Sequence, residues 1–516
     1  MKWILPLLVA LAMPVPAAAA TTPGCRAIAQ LTPDERIGQL IMVGGDTGRA
    51  RELHAGMVGL PDMPDLGSAA EFTRIMGKDV LVGGDFEHGA IQRIGGTTAY
   101  PRPMGLGAIR DPGAAAAAAV GTASELKQAG VRLNLAPLAD VNSNPEFPFG
   151  VRSYSEDPAL VSRLISAQVG AYRAAGVVPA VKHFPGHGGV NADPHYELPT
   201  VHADRATMDR VHFPPFRAAI AAGAPMIMTA HIVLKSVDPA LPSTLSTKVI
   251  TGILRGELGF DGVVITDSIQ MGAIRNNFGL GNAAVLAINA GADVVLSTGP
   301  HSDHVEIVNA LRAGLTQERI DQSAARVLKL KCRYQGKGPS VRVDPDPIAQ
   351  DSITLLDNRS GALPFARGAR TSVVGVRDVQ PLAQAMNAGW WQAASDDPAD
   401  AEITEAVRRA EDQVLVATYS RGPTLPPGQV KLVNALKAAG KHVAAVSIGV
   451  PYDVNSYPEL GASLAAYAQT QVWGPPPPAN PTVMRAVARV VFGAQPGGRL
   501  PVTVSARYPY GLGLRY

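Results

Sequence analysis

The chain contains eight apolar runs of strand length that alternate with helical stretches from residue 37 onward, and this alternation restricts the fold most. The runs are IGQLIMVGG, GMVGL, DVLVGGD, VRLNLAPLAD, VVPAVKHF, APMIMTAHIVL, GVVITD and ADVVLST. They are rich in aliphatic and β-branched residues without polar alternation, which is typical of parallel strands buried on both faces. Segments between them, such as STKVITGILRGELG, have helical periodicity and end in glycine. This pattern predicts an α/β fold that begins with a (β/α)8 barrel of the TIM type at residues 21–335.

The residues after Cys332 form a linker rich in glycine, proline and charge, which we place at residues 336–350. Beyond it, the runs TSVVGV, QVLVATY, HVAAVSIG and ASLAAYA alternate with helical stretches such as QVKLVNALKAAG and PTVMRAVARVVFG. This pattern predicts a smaller α/β domain at residues 351–516, with a layered sheet of the flavodoxin-like kind.

The N-terminus has the features of a secretory signal, because Lys2 is followed by an apolar run and by small residues up to Ala20. We therefore expect residues 1–20 to be a signal peptide cleaved near Ala20, and the protein to be periplasmic or secreted. Anchoring as a lipoprotein at Cys25 is disfavoured, because the preceding TTPG lacks the apolar residue that such processing favours. No later apolar run reaches the roughly 18 residues of a membrane span.

The composition excludes several classes of protein. A formal net charge of +3 is too small to indicate a nucleic-acid partner. Two cysteines cannot build a thiolate metal cluster or a disulfide-rich scaffold. Cys25 and Cys332 flank the predicted barrel and could form one bridge in an oxidising compartment, but two separate thiols fit the sequence equally well. We expect a monomer without a cofactor.

Polar side chains collect at the carboxyl ends of the predicted barrel strands. In a barrel these ends surround one mouth, which is where barrel enzymes place their chemistry. The clustering predicts the location of the site, although a fold alone does not give a function. The residues at these ends are Asp85, Asp140, Lys182, His183, His231 and Asp267.

Asp267 ends the strand GVVITD and precedes SIQMGAI. At an isolated strand-to-helix turn, an aspartate is often only a helix N-cap. At the mouth of a barrel, the same carboxylate can act as a nucleophile. The strand pattern alone leaves both interpretations open.

Three of the 11 histidines, His183, His187 and His195, fall within the stretch VKHFPGHGGVNADPHYELP. They lack the helical i, i+4 pairing of zinc motifs, and a Pro/Gly loop separates them, so we predict no metal site. If the piece around Asp193 and His195 is extended, the two side chains project to the same side and can pair. Pro194 favours that geometry, because it restricts the backbone of the residue before it. A chance pairing in a loop is the alternative.

The order of several separated motifs is more specific than any one of them. KHFPGHG is followed by DPH, TAHI and GVVITDSIQMGAI, and it is preceded by NLAPLADVNSNPEFPFGVRSYSEDP. With these motifs the chain closely resembles glycoside hydrolase family 3, specifically its β-N-acetylglucosaminidase branch. The resemblance runs through nearly the whole chain after the signal, including SITLLDN and LPF at the start of the second domain and YPYGLG near the C-terminus.

The resemblance implies a role for each matching residue. In that branch the Asp of the TDS motif is the nucleophile, and the His of the D-x-H motif is the general acid/base. Here these are Asp267 and His195, with Asp193 as the partner of His195. The resemblance also implies that the sugar hydroxyls and the acetamido group are held by Asp85, Arg93, Arg152, Lys182 and His183.

The chain departs from the family pattern in three places. His88 stands where glycine is usual in VDxEGG. GHGGV replaces the common GHGDT, and DPH replaces DSH. The residue types at Asp193 and His195 are retained, so the implied chemistry is retained with them.

The resemblance implies an exo-acting, retaining β-N-acetylglucosaminidase that removes terminal β-linked GlcNAc from peptidoglycan fragments or chitooligosaccharides. Retaining glycosidases usually employ two carboxylates, so a histidine in one role is an exception. An imidazole suits proton transfer because its ordinary pKa, about 6.5, lies near working pH. The alternatives are a β-glucosidase or β-xylosidase of the same family and a GlcNAc phosphorylase, since a neutral imidazole does not repel phosphate. A non-catalytic cell-wall sugar-binding protein is a further alternative.

Overall fold

The computed structural model describes residues 26–45, 47–146, 150–190, 192–334, 340–468 and 480–516. The predicted signal peptide and Cys25 lie outside these residues, so the signal and the Cys25–Cys332 pairing stay predictions. Within the described ranges, no helix has both the length and the apolar character needed to cross a membrane.

The strands of the N-terminal domain are β1 (Ile41–Val43), β2 (Met57–Gly59), β3 (Leu81–Gly84), β4 (Leu133–Asn134), β5 (Val178–Phe184), β6 (Thr200–Val201), β7 (Met226–Thr229), β8 (Val233–Leu234), β9 (Val263–Ser268) and β10 (Val294–Ser297). Eight of them close into a barrel in the order β1-β10-β9-β7-β5-β4-β3-β2, and β6 and β8 pair separately. Every neighbouring pair around the barrel is parallel. Each of the eight predicted runs supplies one barrel strand, so the predicted TIM-type barrel is confirmed.

The helices of this domain are α1 (Pro33–Gly38), α2 (Thr47–Glu52), α3 (Leu66–Met76), α4 (Pro103–Ile109), α5 (Pro112–Gln128), α6 (Pro158–Ala174), α7 (Arg205–Thr207), α8 (Phe213–Ala221), α9 (Gly272–Phe278), α10 (Leu280–Ala290), α11 (His301–Gly314) and α12 (Gln317–Arg333). Two π-helical segments span Met208–His212 and Lys248–Glu257. Short 3-10 turns span Ile28–Gln30, Ala90–Gln92, Gly150–Arg152 and Ser243–Leu245.

The barrel strands are apolar on both faces because each face meets a different core. In β9, Val263 and Ile265 belong to the cluster that fills the barrel, whereas Val264 belongs to the cluster between barrel and helices. This is the period-2 alternation of a strand with both sides buried. Val327 and Leu330 of α12 join the inner cluster and thereby add to the barrel core.

The C-terminal domain contains β11 (Thr354–Asp357), β12 (Thr371–Gly375), β13 (Gly389–Gln392), β14 (Gln413–Thr418), β15 (His442–Ser447) and β16 (Ser463–Ala465). Its helices are α13 (Pro345–Ser352), α14 (Val379–Met386), α15 (Asp400–Arg409), α16 (Pro427–Ala438) and α17 (Pro481–Val491), with a 3-10 turn at Pro451–Ser456.

The six strands form one sheet in the order β11-β16-β15-β14-β12-β13, in which only β11 is antiparallel to its neighbour. The five parallel strands therefore have the order 2-1-3-4-5 of a flavodoxin-like sheet, as predicted. The four predicted runs became β12, β14, β15 and β16. The sequence pattern did not predict the two edge strands, β11 and β13, and Trp390 of β13 is half exposed.

The two domains are joined by polar and apolar contacts. Arg102 donates from Nε to the carbonyl of Ala468 at 2.8 Å, and Ser155 donates to the carbonyl of Pro501 at 2.6 Å. Helix α13 begins inside the predicted linker and packs against α4 of the barrel and α17 of the second domain. The domain limits at residues 21–335, 336–350 and 351–516 stay predictions.

Candidate active site

The barrel mouth brings four predicted site residues together from three strand ends. Asp85 directly follows β3, Lys182 and His183 lie near the end of β5, and Asp267 lies near the end of β9. These strands run parallel around one closed barrel, so their carboxyl ends open on the same side.

A network of opposite charges forms one wall of the mouth, with Lys182, Glu87 and Arg152 buried and its outer members partly exposed. Lys182 donates from Nζ to Asp85 Oδ1 at 2.7 Å and approaches Glu87 Oε1 at 2.9 Å. Arg152 binds Glu87 with two hydrogen bonds, Nε to Oε2 at 2.9 Å and Nη2 to Oε1 at 2.6 Å. Arg93 reaches Asp85 Oδ2 at 3.4 Å from the outer side. All five predicted or neighbouring charges of this wall are therefore paired within the protein.

The backbone after β3 explains why Asp85 and Glu87 both meet Lys182. Asn134 at the end of β4 accepts from the backbone amide of Phe86 at 3.0 Å and donates to its carbonyl at 3.2 Å. Residues two apart on an extended chain project to the same side. Clamping the residue between them therefore directs both carboxylates towards the ammonium group.

Glu87 remains ionised although it is almost fully buried. Burial alone disfavours its charged form, but the charges of Arg152 and Lys182 outweigh burial and hold its pKa well below the usual value. The pKa of Asp85 is lowered in the same way, with Lys182 and Arg93 overcoming the effect of burial. The wall is a set of fixed charges.

His183 connects this wall to Asp267. Its Nδ1 lies 2.7 Å from Asp140 Oδ2, and its Nε2 lies 3.7 Å from Asp267 Oδ2. Because a carboxylate only accepts, the Nδ1 proton is donated to Asp140, and the ring is thereby fixed with Nε2 towards Asp267. Asp140 also accepts from the backbone amide of His187 at 2.6 Å, so one buried carboxylate orders the segment after β5.

Asp267 sits among groups that favour its anion. Burial raises the pKa of its carboxyl, but His183, His231, Lys182 and the backbone amide of Ser268 together bring the pKa below its usual value. The Ser268 amide donates to Asp267 Oδ1 at 2.7 Å. The side chain remains 22% exposed, so the anion can meet a ligand in the mouth.

Asp193 and His195 form the predicted pair by a different geometry from the one expected. Residues 194–196 form a turn, so the expectation of an extended piece is wrong. Asp193 Oδ1 accepts from the backbone amide of His195 at 2.9 Å and contacts its Nδ1 at 2.6 Å. Such an Asx turn is a common local conformation of aspartate. The contact leaves Nε2 of His195 as the nitrogen that can exchange a proton.

Asp193 is held as an anion by this contact. Burial opposes its ionisation, but hydrogen bonds from the side chain and backbone of His195 outweigh burial and lower the pKa of Asp193. The His195 side chain is 26% exposed, more than that of Asp193 at 15%. An exposed imidazole backed by a less exposed carboxylate can pass protons to a ligand.

Three residues that contact the predicted site residues were not assigned roles from the sequence. Glu87 holds Lys182 and Arg152, Asp140 orients His183, and His231 donates from Nε2 to the carbonyl of Ser268 at 3.0 Å. Asp140 and His231 were visible as polar residues at strand ends. The sequence also offered a way to find Glu87, because it stands two residues after Asp85 in the same motif.

The remaining histidines of the mouth are neutral. Burial lowers the pKa of His187 to about 4, and burial together with the charge of Arg102 lowers the pKa of His88 to about 3. His183 pairs with Asp140 and His195 with Asp193. Among the described residues, no group of three or more His, Cys, Asp or Glu side chains is arranged to hold a metal ion.

Comparison with family models assigns both halves of the chain. Residues 26–330 match the model described as the glycosyl hydrolase family 3 N terminal domain. Residues 353–510 match the glycosyl hydrolase family 3 C-terminal domain.

Individual relatives agree with these matches. Beta-hexosaminidase A of Pseudoalteromonas piscicida is 30% identical over 465 residues, which cover 75% of this chain and 76% of the relative. A beta-hexosaminidase of Xylella fastidiosa (strain M23) is 37% identical over 254 residues, which cover 48% of this chain and 74% of the relative. A solved glycoside hydrolase family 3 beta-N-acetylglucosaminidase from Paenibacillus sp. str. FPU-7 superposes with a TM-score of 0.82 at 33% identity, covering 92% of this chain and 99% of the other.

Proposed function

The chain belongs to glycoside hydrolase family 3, and from this premise we propose that it is an exo-acting, retaining β-N-acetylglucosaminidase. Its substrates are glycans with a terminal β-linked GlcNAc, either peptidoglycan fragments or chitooligosaccharides. Two relatives named beta-hexosaminidase and a solved beta-N-acetylglucosaminidase support the choice of sugar.

Asp267 is the proposed nucleophile. The attacking group of a retaining glycosidase must be an anion, and it forms a covalent glycosyl-enzyme through an oxocarbenium-like transition state. The lowered pKa of Asp267 keeps the carboxylate charged at neutral pH. The Nε2 of His183 lies 3.7 Å from Asp267 Oδ2, and His183 contributes to the lowered pKa of this carboxyl.

His195 is the proposed general acid and base. Its Nε2 donates a proton to the leaving oxygen in the first step and removes a proton from water in the second step. Asp193 stabilises the imidazolium form and fixes the tautomer through the 2.6 Å contact to Nδ1. The observation that carries the proposed function is this Asp193–His195 pair beside the β9–α9 turn that holds Asp267.

We propose that the charged side chains of the wall bind the sugar. Asp85 accepts hydrogen bonds from two sugar hydroxyls, and Lys182, Arg93 and Arg152 donate to sugar oxygens. Lys182 and Arg152 keep their contacts to Glu87 while they do so, because each has more than one donor. Binding therefore does not require a buried charge to lose its partner.

The sugar preference is tested by comparing nitrophenyl β-GlcNAc with nitrophenyl β-glucoside. We expect kcat/KM to be at least about tenfold higher for the GlcNAc substrate, because the family contains both specificities and the relatives favour GlcNAc. Faster turnover of the glucoside would make the enzyme a β-glucosidase instead.

The same assay separates hydrolysis from phosphorolysis. A histidine in the acid/base role does not repel an incoming phosphate anion as a carboxylate does. We expect free GlcNAc as the product whether or not phosphate is present. Phosphate-dependent release of a sugar 1-phosphate would identify a phosphorylase.

The setting of the enzyme is also part of the proposal. The signal-like N-terminus supports an exported protein, and a periplasmic or secreted enzyme would meet GlcNAc-containing cell-wall fragments. We expect the enzyme to act as a monomer. Detection of the mature chain in the culture medium or the periplasm, beginning near Thr21, tests the export.

A further inference from the structure

Residues 193–197, here called the His195 segment, are held against the first turn of α9 by backbone hydrogen bonds. The amide of Gly272 donates to the carbonyl of His195 at 3.0 Å, and the amide of Ala273 donates to the carbonyl of Pro194 at 3.1 Å. The first amides of a helix have no partner inside the helix and must find one elsewhere. Here the partner is the segment that carries the proposed acid/base.

Gly272 allows this close approach because it has no side chain. A Cβ atom at this position would lie 2.7 Å from the Tyr196 carbonyl oxygen and 2.9 Å from the His195 carbonyl oxygen. Real Cβ atoms essentially never approach backbone oxygen that closely, so the segment would have to move. The backbone of Gly272 itself does not require glycine, because its φ is not positive.

The turn between Asp267 and Gly272 is braced along its length. The Met271 amide donates to the Ser268 carbonyl at 3.1 Å, which closes the turn, and the Ile269 amide donates to the Leu296 carbonyl of β10 at 3.1 Å. The hydroxyls of Ser268 and Thr298 are 2.7 Å apart. The five-residue step from Asp267 to Gly272 is therefore a fixed spacer.

We propose that Gly272 is a positioning residue that seats the His195 segment at a set distance from Asp267. Asp267, the proposed nucleophile, lies at one end of this spacer. Gly272 lies at the other end and contacts the segment that contains His195, the proposed acid/base. The two groups act on opposite sides of one glycosidic bond, so their separation must match the bond that is broken. This inference rests on the proposed function, because it assumes that His195 transfers the proton.

The direct test is the variant Gly272→Ala, with Gly170→Ala as the control. Gly170 lies in α6, where an added Cβ meets no atom within 4 Å. Alanine favours helices over glycine, so neither change weakens its helix. We expect Gly272→Ala to lower kcat/KM by at least about tenfold for chitobiose, whose leaving group needs protonation, and by less than about threefold for dinitrophenyl β-GlcNAc. Gly170→Ala should leave both unchanged.

The variant His195→Ala distinguishes failure of this inference from failure of the proposed function. If His195→Ala affects both substrates equally, the acid role of His195 is wrong and the proposed function fails. If His195→Ala is selective but Gly272→Ala is not, only the seating role is wrong. In the His195→Ala background, adding Gly272→Ala should have little further effect, whereas a purely structural effect of Gly272 would add its full loss again.

Hydrogen exchange on the unmodified enzyme tests the contact between the His195 segment and α9 without any variant. Amides at the first two positions of a helix exchange rapidly when they have no partner. We expect the amides of Gly272 and Ala273 to be protected, and His195→Ala to retain that protection because the bonds are made by the backbone. Rapid exchange at both amides of the folded enzyme would mean that α9 does not hold the His195 segment in place.

Discussion

Each domain places a carboxyl group at the carboxyl ends of its parallel strands, and the two groups have opposite electrostatics. Asp267 lies at the end of β9 in the barrel, and Asp453 lies in the 3-10 turn that follows β15 in the second domain. Burial favours the neutral acid in both cases. The pKa of Asp267 is nevertheless lowered, whereas burial raises the pKa of Asp453 to about 6.

The difference comes from the neighbours. Asp267 lies near His183, His231 and Lys182, which lower its pKa despite burial. Asp453 is surrounded by hydroxyl groups, including that of Ser420, whose Oγ lies 2.5 Å from its Oδ1. Hydroxyls lower the pKa of Asp453 less than burial raises it.

The two strand ends are similar, but only the one in the barrel carries a carboxylate with the properties that a nucleophile needs. A nucleophile has to be charged and accessible, and Asp267 is both, with 22% of its side chain exposed. Asp453 is fully buried and is more easily protonated. Because the Asp453 side chain has no access to the solvent, we propose that the acid/base for the barrel is His195 and not this carboxyl group.

The largest expected effect is the loss of Asp267. Asp267→Asn removes the negative charge and keeps the size, so we expect kcat to fall by about 10⁴-fold or more on every substrate. Steady-state kinetics measure this. The melting temperature should change little, because Asn keeps the shape of the side chain and removes the cost of burying the carboxylate, which offsets the lost countercharge. Substantial remaining turnover would mean that Asp267 is not the nucleophile.

The second effect depends on the leaving group. His195→Ala should lower kcat/KM for chitobiose by about 10²- to 10³-fold, and for dinitrophenyl β-GlcNAc by far less, because only the first needs a proton. Asp193→Asn should show the same selectivity at smaller size. If Asp453→Asn produced this pattern instead, the acid would come from the second domain, and the contrast between the two carboxyl groups would be wrong.

The third effect concerns the fixed charges of the wall. Glu87→Gln leaves Lys182 and Arg152 with less compensating charge in a buried site, and we expect a loss of about 3 kcal/mol in the free energy of unfolding. The activity should fall equally on good and poor leaving groups, because no proton transfer is affected. Glu71→Gln, which breaks an exposed pair with Arg74, is the control and should change stability much less than Glu87→Gln does. Equal losses in the two variants would mean that the wall is not a stabilising network.

The smallest effect on activity and the clearest dependence on pH are expected from Asp453→Asn. The folded protein binds the Asp453 proton more tightly than the unfolded chain does, so the contribution of Asp453 to stability is highest below about pH 4 and falls until about pH 6. The span corresponds to about 3 kcal/mol. The variant loses this dependence, so its stability relative to the parent should rise between pH 4 and pH 8 while kcat stays unchanged.

Denaturant unfolding at a series of pH values measures that change. Asp400→Asn, an exposed aspartate of the same domain, is the control and should show no comparable slope. If the difference in the free energy of unfolding between Asp453→Asn and the parent did not change with pH, Asp453 would have an unshifted pKa in the folded protein.

The fold was largely predictable because its signals are local. Runs such as GVVITD combine strand propensity with continuous apolar character, and that combination implies burial on both faces. The edge strand β13 was missed because its two tryptophans and exposed positions do not form such a run. Strand β6 was missed because it has only two residues and lies outside the apolar runs, whereas β8 lies at the end of the run APMIMTAHIVL.

The site was predictable by residue type but not by contact. The order of the motifs predicted Asp267 and His195, and the position of Lys182 at a strand end predicted that it lies at the site. The partnership of Arg152 with Glu87 joins positions 65 residues apart, and no local pattern reports such a distance. The Asx turn at Asp193 was also missed, because proline restriction favours extended geometry while the side-chain hydrogen bond favours a turn.

The most direct test of the account is to trap the glycosyl-enzyme. A fluorinated GlcNAc donor with a good leaving group slows the second step more than the first, so the covalent intermediate accumulates and its peptide can be identified by mass spectrometry. We predict one sugar per chain, attached to Asp267, with no adduct on Asp267→Asn. An adduct on any other residue, or product release with inverted anomeric configuration, would contradict the account.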